Sequence, residues 1–134
     1  MIKITVIYGG MSTEHDVSVV SAKNVIDNLN IGKYEIHKIE IAKNGEWLTG
    51  GKRIKNIVEE LQKVDVVFPV LHGLYGEDGT IQGMLELLKI PYVGCKVLAS
   101  SVCMDKVYTK YILKNAKINM ARFVYIKNEN TYVD

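Results

Sequence analysis

The alternation of apolar and polar positions predicts that the chain begins as strand, turn and helix. Residues 2–10 are an apolar, β-branched run closed by two glycines, which is typical of a buried strand that leaves a sheet through a tight turn. Residues 12–29 follow with helical periodicity, and Ser12 or Thr13 is the predicted N-cap. Four apolar residues share one face of this helix: Val19, Ala22, Ile26 and Leu29.

The middle of the chain repeats this alternation. Residues 34–42 are rich in Ile and Tyr at strand length, and the Asn-Gly turn signal after them predicts a small hairpin. Residues 53–65 predict a second helix, with apolar residues at helical spacing: Ile54, Ile57, Val58 and Leu61. Residues 65–71 are apolar on consecutive positions, as in a central parallel strand covered on both faces, and Pro69 marks its end.

A third helix is predicted over residues 77–91, with Glu77 or Asp78 at its start and Pro91 beyond its end. Its apolar face consists of Ile81, Met84, Leu85 and Leu88. The remaining chain continues the pattern with a short strand, a long helical stretch that breaks near Met104 and Asp105, and a last β-rich run: residues 92–95, 96–116 and 122–127.

Strands that alternate with helices of this length predict right-handed βαβ units, and therefore an α/β fold built on a parallel sheet. In such sheets, ligands bind beyond the carboxyl ends of the strands. The first and third predicted strands each run into a glycine-containing turn at that edge, over residues 9–16 and 71–79.

Each of these two turns combines backbone freedom with a histidine and carboxylates. Glycines let backbone N–H groups approach a ligand closely, and a helix N-terminus behind them favours an anionic group. A nearby carboxylate instead favours an ammonium group. A site that offers both suits a zwitterionic amino acid, because each end of the ligand needs an opposite charge once it leaves water.

Each candidate residue also has a purely structural explanation. Glu14 and Asp16 lie in the first turn of a predicted helix, where the helix dipole alone favours acidic residues. His72, at the end of a strand, either contacts a ligand or is satisfied by backbone groups. Glu77 and Asp78 suit helix capping better than catalysis.

Two further features are interpreted structurally. Gly79 is predicted to serve the turn, and Gly83 to permit close packing of the helix. A metal site would have to combine side chains without a recognised ligand spacing, and we therefore predict none from this set: His15, Asp16, His72 and Glu77.

The composition of the chain argues against several kinds of protein and indicates a cellular compartment. The 134 residues are 48% hydrophobic, which favours one domain with a real core, and the 17 basic and 15 acidic residues are interleaved. The net charge of +2 without a basic cluster argues against nucleic-acid binding. No apolar stretch reaches the roughly 18 residues of a membrane helix, and no signal-peptide pattern is present. Cys95 and Cys103 indicate free thiols in a reducing compartment, hence a cytoplasmic protein.

Motifs for several common enzyme classes are absent. The sequence contains no GxGxxG after the first strand, no GxxxxGK[ST] and no GxSxG. The dinucleotide-binding, P-loop and hydrolase interpretations therefore lose their main support.

Two long segments resemble the D-alanine–D-alanine ligase family. The first is VIYGGMSTEHDVSVVSA at residues 6–22, and the second covers residues 67–110, where LHG, GEDGTIQG, IPYVG and MDK stand in the family's order. The resemblance extends over the whole chain apart from a variable middle near Trp47 to Gln62.

This resemblance implies an ATP-grasp enzyme that makes D-alanyl-D-alanine for bacterial peptidoglycan. In the family, ATP and Mg²⁺ (or Mn²⁺) activate the first D-alanine as an acyl-phosphate, which the second D-alanine attacks, and the enzyme is a cytoplasmic homodimer. The implied fold is a Rossmann-like (pre-ATP-grasp) parallel sheet flanked by helices over residues 1–103. The start of the ATP-grasp central domain would occupy residues 104–134.

The resemblance also assigns roles to individual residues. Glu14 is similar to the catalytic-site carboxylate that binds the ammonium group of the first D-alanine, and Val17 to a wall of that subsite. His72 is similar to the histidine beside the same substrate, and Lys106, in MDK, to the lysine that reaches the phosphates of the nucleotide.

Family members continue into two further domains that carry the metal ligands and most of the ATP pocket. We therefore expect this chain to be a truncated N-terminal part that is catalytically silent alone, because phosphoryl transfer needs those contacts. ADP release from these 134 residues would contradict this expectation.

Two alternative functions remain open from the sequence. One is a D-alanine–D-serine or D-alanine–D-lactate ligase. The other is a stand-alone α/β ligand-binding or response-regulator-like module, which the strand and helix pattern alone would satisfy. A response regulator would have an acidic cluster at the end of the first strand, whereas this chain has Gly9 and Gly10 there.

Overall fold

A five-stranded sheet organises the protein in the computed structural model, which describes residues 1–128 and 131–133. Its strands are β1 (Ile2–Gly9), β2 (Tyr34–Ile41), β3 (Trp47–Thr49), β4 (Lys52–Arg53) and β5 (Val66–Pro69). The order across the sheet is β4-β3-β2-β1-β5. Because β1 pairs in parallel with both β2 and β5, the carboxyl ends of these three strands meet at one edge.

Helices follow the strands along the chain and flank the sheet. They are α1 (His15–Asn28), α2 (Ile57–Leu61), α3 (Thr80–Leu87), α4 (Val97–Met104) and α5 (Lys106–Asn115). A separate antiparallel ribbon pairs β6 (Tyr125–Asn128) with β7 (Thr131–Val133). The predicted α/β class with parallel strands and flanking helices is confirmed. The hairpin predicted from the Asn-Gly turn is formed by β2 and β3, which pair antiparallel, and β4 adds a further antiparallel strand.

The two faces of the sheet carry two separate apolar layers, as the period of two along a strand requires. On one face, Val6 packs with Ala22 of α1 and with Val70. On the other face, Ile7 packs with Leu61 of α2 and Leu85 of α3, and all three side chains are fully buried. Burial on both faces explains why β1 is apolar on consecutive positions.

The start of α1 differs from the prediction. Glu14, rather than Ser12 or Thr13, occupies the N-cap position, and it makes no side-chain cap hydrogen bond. The Ser12 hydroxyl is instead used in a contact with a distant turn. Of the predicted apolar face, Ala22, Ile26 and Leu29 pack into the core, whereas Val19 is exposed.

The second helix and the β5 strand also differ from the predictions. Asn56 accepts a hydrogen bond from the N–H of Glu59, so α2 begins only at Ile57 and is five residues long. β5 lies at the edge of the sheet rather than in its centre, because beyond it the structure has only a single bridge between Val67 and Tyr92. That bridge is all that forms of the strand predicted at residues 92–95.

Several local predictions are confirmed. The helical stretch breaks at Asp105, whose carboxylate accepts the N–H groups of Val107 and Tyr108 and caps α5. Cys95 and Cys103 are exposed free thiols. Within residues 1–128 and 131–133, no helix has both the length and the hydropathy that a membrane crossing requires.

Candidate functional site

The two glycine turns lie side by side at the carboxyl edge of the sheet, because β1 and β5 are parallel neighbours. The Ser12 hydroxyl donates a hydrogen bond of 2.7 Å to the His72 carbonyl, and it accepts the N–H of Glu14 at 3.2 Å. One serine thus connects the turn after β1 with the turn after β5.

Ser18 makes the second connection, between the last residue of β1 and the residue that follows β5. Its buried hydroxyl accepts the N–H of Gly9 at 2.8 Å and donates to the Val70 carbonyl. Ser18 is completely buried, so its hydroxyl replaces water for two backbone groups that would otherwise lack a partner. The N-terminal half of α1 is therefore fixed against both strand ends.

The Glu14 carboxylate lies directly against Gly73. A Cβ atom on Gly73 would come within 2.5 Å of Glu14 Oε2, and the φ angle of Gly73 is +71°. Only glycine combines this backbone conformation with such a close carboxylate. Among the described residues, no Lys or Arg forms an ion pair with Glu14, which leaves its charge available to a cationic group.

The His72 ring lies between helix α1 and Glu77 of the turn after β5. Its Nε2 atom is 3.0 Å from Ser21 Oγ of α1, and its Nδ1 atom is 3.8 Å from Glu77 Oε1. The other carboxylate oxygen of Glu77 accepts the N–H of Gly73 at 2.7 Å. Glu77 therefore closes the 73–77 turn, which is a different role from the predicted helix capping.

Asp78 and Gln82 hold the rest of the second turn. The Asp78 carboxylate accepts the N–H groups of Tyr75 at 2.9 Å and of Thr80, the first residue of α3, at 3.0 Å, while the N-cap position itself is occupied by Gly79. Gln82 donates from Nε2 to the Gly76 carbonyl. Burial alone would raise the pKa of Asp78, but the N–H groups of Thr80 and Tyr75 stabilise the charged form, and the net effect is a lowered pKa.

We expect the Asp78→Asn variant to be less stable than the unmodified chain at neutral pH, and this difference to shrink in acid. The lowered pKa means that the folded state prefers the charged carboxylate. Its contribution to stability is present above the ordinary pKa of 3.8 and is lost as the pH falls through the lower folded-state value. Urea unfolding of both proteins, from neutral pH down to below the ordinary pKa of 3.8, measures the effect. A stability difference that stays constant down to strongly acidic pH would contradict it.

An apolar cleft of ≈ 160 Å³ adjoins the two turns on the side of the β2–β3 hairpin. Ile41, Trp47, Leu71 and Met84 form part of its wall, and His72 lies at its border. Of the polar residues described above, His72 lines this cleft, whereas Glu14 is exposed and lies outside it.

A sequence profile of the D-ala D-ala ligase N-terminus matches residues 3–59 and 51–95. The chain belongs to the D-alanine–D-alanine ligase family. Among curated relatives, the D-alanine–D-alanine ligases of Clostridium novyi and Clostridium acetobutylicum are 46% and 48% identical, and each match covers 92% of this chain. The chain spans only 41% of the length of each of these relatives.

Solved structures of ligases share the fold. The D-alanine–D-alanine ligase from Aeromonas hydrophila matches 98% of this chain with a TM-score of 0.83 and 30% identity, and the match covers 52% of that protein. The enzyme from Bacillus anthracis, complexed with ATP, has a TM-score of 0.76 and 36% identity over 98% of this chain and 42% of its own. The VanG D-Ala:D-Ser ligase from Enterococcus faecalis has a TM-score of 0.79 and 38% identity, over 90% of this chain and 43% of its own.

The structure brings some of the predicted ligase residues together. Glu14 lies against Gly73, the residue that follows His72, and Val17 lies in the first turn of α1 with 55% of its surface exposed. Lys106 is the exposed first residue of α5, and no hydrogen bond or ion pair connects it to Glu14 or His72.

The structure also bears on the remaining residues that the sequence analysis considered. His15 contacts Asp16 at 3.1 Å and lies 3.9 Å from Glu40, away from His72. Across residues 1–128 and 131–133, no three His, Cys, Asp or Glu side chains form a group that could hold a metal ion. Nothing lies within 4 Å of an added Cβ at Gly83, so the prediction of close packing there is wrong.

The serines that connect the two turns are not predicted by the sequence analysis. Ser12, which precedes α1, is predicted only as a helix cap, and Ser18 and Ser21 of α1 have no predicted role. The one local signal is the position of Ser18, which precedes the buried Ala22 by one helical turn. A polar residue on the buried stripe of a helix indicates a buried hydrogen bond, although it does not name the partner.

Proposed function

We propose that this chain carries the site for the first D-alanine of a D-alanine–D-alanine ligase. The whole enzyme would join two D-alanine molecules at the expense of ATP for peptidoglycan synthesis. The observation that carries the proposal is the Glu14 carboxylate, which lies against Gly73 where the two turns meet and has no Lys or Arg partner among the described residues.

The site suits a small zwitterion. Glu14 is proposed to bind the ammonium group, since a charge-assisted hydrogen bond to a carboxylate is among the strongest available in a protein. Val17 would form the wall beside the substrate methyl group, and His72 the opposite side. The N-terminus of α1 favours the substrate carboxylate through its helix dipole.

Lys106 is proposed to contact the phosphates of ATP. An exposed ammonium at the start of α5 fits a polyphosphate ligand, and the similar Bacillus anthracis enzyme has been solved as a complex with ATP. The described residues offer no group for Mg²⁺ (or Mn²⁺), so the metal ligands would come from the domains that family members have beyond the matched part. ATP and its metal would supply the activating phosphoryl group when bound.

We further propose that residues 1–103 are the substrate-binding domain, that residues 104–134 lead into the ATP-grasp central domain, and that the complete enzyme is a cytoplasmic homodimer. D-Alanine is proposed as the second substrate in preference to D-serine or D-lactate. This choice is supported by the names of the curated relatives, which include D-alanine–D-alanine ligases 46% and 48% identical to this chain.

A titration of the chain with D-alanine, followed by the backbone amide signals of residues 9–17 and 72–79, tests the proposal. We expect shifts in both turns, and in the Glu14→Gln variant we expect the affinity to fall by roughly 10-fold or more, because a hydrogen bond to a charged group is lost. Glu59→Gln, which changes an exposed glutamate of α2, is the matched control and should bind as the unmodified chain does.

The ligand has its own control in L-alanine, which should give weaker shifts in the same turns. Shifts of equal size and affinity in the Glu14→Gln variant would contradict the assignment of Glu14. A complete lack of response in the unmodified chain would contradict the proposal that these residues already form the site.

A further inference from the structure

We propose that Ser21 and Glu77 are positioning residues that hold the proton of the neutral His72 ring on Nδ1. Their location beside D-alanine rests on the proposed function. The placement of the proton rests only on contacts within the chain. It determines which ring atom of His72 is able to donate a hydrogen bond to a bound ligand.

The Nε2 side of the ring faces a hydroxyl group. Ser21 Oγ lies 3.0 Å from Nε2, and among the described residues this hydroxyl has no other hydrogen-bond partner. A serine hydroxyl either donates to a lone pair on Nε2 or accepts from an Nε2–H group, so this distance is compatible with both tautomers. In the proposed arrangement Ser21 donates, and the neutral ring carries its own proton on Nδ1.

The Nδ1 side of the ring faces a negative charge. Glu77 Oε1 lies 3.8 Å away, and the Glu77 side chain is held in place because its Oε2 accepts the N–H of Gly73. A lone pair on Nδ1 would point towards this carboxylate and be repelled, whereas an N–H dipole is attracted. Glu77 therefore favours the Nδ1–H tautomer, and the contact with Ser21 is compatible with it.

The backbone completes the positioning. The carbonyl of His72 accepts the hydroxyl of Ser12 at 2.7 Å, so the residue is held at its main chain as well as at Nε2. The 3.8 Å separation from Glu77 exceeds the usual length of an N–H···O hydrogen bond. The Nδ1–H group is therefore attracted by Glu77 but remains able to donate to the carboxylate of a ligand whose ammonium group is at Glu14.

The chain contains an internal comparison for this arrangement. His37 also lies beside a glutamate, with Nε2 at 3.0 Å from Glu35 Oε1, and the two side chains are 43% and 45% exposed, compared with 31% for His72 and 53% for Glu77. No second protein group holds the other nitrogen of His37 in the described chain. His37 therefore reports what a single exposed carboxylate does to a histidine ring.

The test is long-range ¹H–¹⁵N correlation of the histidine side chains in the ¹⁵N-labelled chain at about pH 8.5, well above the ordinary imidazole pKa of about 6.5. The protein has three histidines, so each ring can be assigned. We expect His72 to show the pattern of the Nδ1–H tautomer, which is the less common form of a free imidazole. Ser21→Ala and Glu77→Gln should each shift His72 towards the common Nε2–H form and leave His37 unchanged.

Matched variants separate positioning from folding. Ser21→Thr retains the hydroxyl and should restore the pattern of the unmodified chain, and Asn24→Ala, at an exposed position of α1, should not alter it. Amide spectra outside residues 70–80 identify any variant that has lost the fold. In the D-alanine titration, Ser21→Ala should weaken binding about 2- to 10-fold, as expected for one hydrogen bond.

Each outcome has a defined meaning. The Nε2–H form in the unmodified chain would overturn the proposal, as would an unchanged His72 pattern in folded Ser21→Ala and Glu77→Gln. The Nδ1–H pattern together with its loss in both variants would support the proposal. If that result came without any response to D-alanine, the proton placement would stand and the proposed function would fail.

Discussion

Replacing Gly9 with alanine is expected to lower the free energy of unfolding by about 3 kcal/mol, from the cost of a left-handed backbone and of overpacking. The φ angle of Gly9 is +87°, and an added Cβ would lie 2.4 Å from the carbonyl oxygen of Ile41. That oxygen belongs to the backbone of β2 and also accepts the N–H of Gly10, so it cannot move without breaking the sheet edge.

Urea unfolding measures this loss as a lower midpoint with an unchanged slope. Gly50→Ala is the matched control, because its φ angle is also positive, at +54°, but nothing lies within 4 Å of an added Cβ. It should lose only about 1 to 2 kcal/mol. Equal losses in the two variants would show that contact with Ile41 contributes nothing.

The second large effect is expected for Ser18→Ala, which should lose about 2 to 4 kcal/mol of stability. The substitution leaves the N–H of Gly9 and the carbonyl of Val70 buried without their hydrogen-bond partner, and each unsatisfied group costs about 1 to 3 kcal/mol. Since these groups end β1 and follow β5, the variant should also weaken the D-alanine response in both turns at once.

Ser101→Ala is the control for this prediction. The Ser101 hydroxyl also donates to backbone carbonyls, but the residue is exposed, so water replaces the lost contacts and the expected change is below about 1 kcal/mol. Denaturant midpoints of the two variants give the comparison. A Ser18→Ala chain as stable as Ser101→Ala would mean that water reaches the Ser18 position.

Local patterns predicted most of the elements correctly where one nearby residue governs the backbone. Pro69 ends β5, and Asp105 separates α4 from α5, because ring geometry and side-chain capping act over only a few residues. The same reasoning failed for the second helix, which was predicted over residues 53–65. It forms only over Ile57–Leu61, because Asn56 is its N-cap. Apolar residues at helical spacing indicate where a helix is favourable, but the position of the N-cap residue determines where the helix begins.

The candidate site was predictable only in part. Glu14 and His72 were found from their place after strands of a parallel sheet and from the family resemblance. The partners that hold them were not, because Ser18 and Val70 are 52 residues apart, and Ser21 and His72 are 51 apart. Sequence periodicity does not predict contacts between residues that are so far apart in the chain.

The amino-acid sequence alone predicted the α/β class, the two glycine turns and the ligase family. The tertiary structure decided that β5 lies at the edge of the sheet and that Glu14 lies against Gly73. It also decided that Ser12 and Ser18 connect the ends of β1 and β5 and that Ser21 contacts His72. The physical reason is the separation of the interacting residues along the chain. Periodicity and turn chemistry act between near neighbours, whereas a binding site forms when parallel pairing brings distant strand ends together.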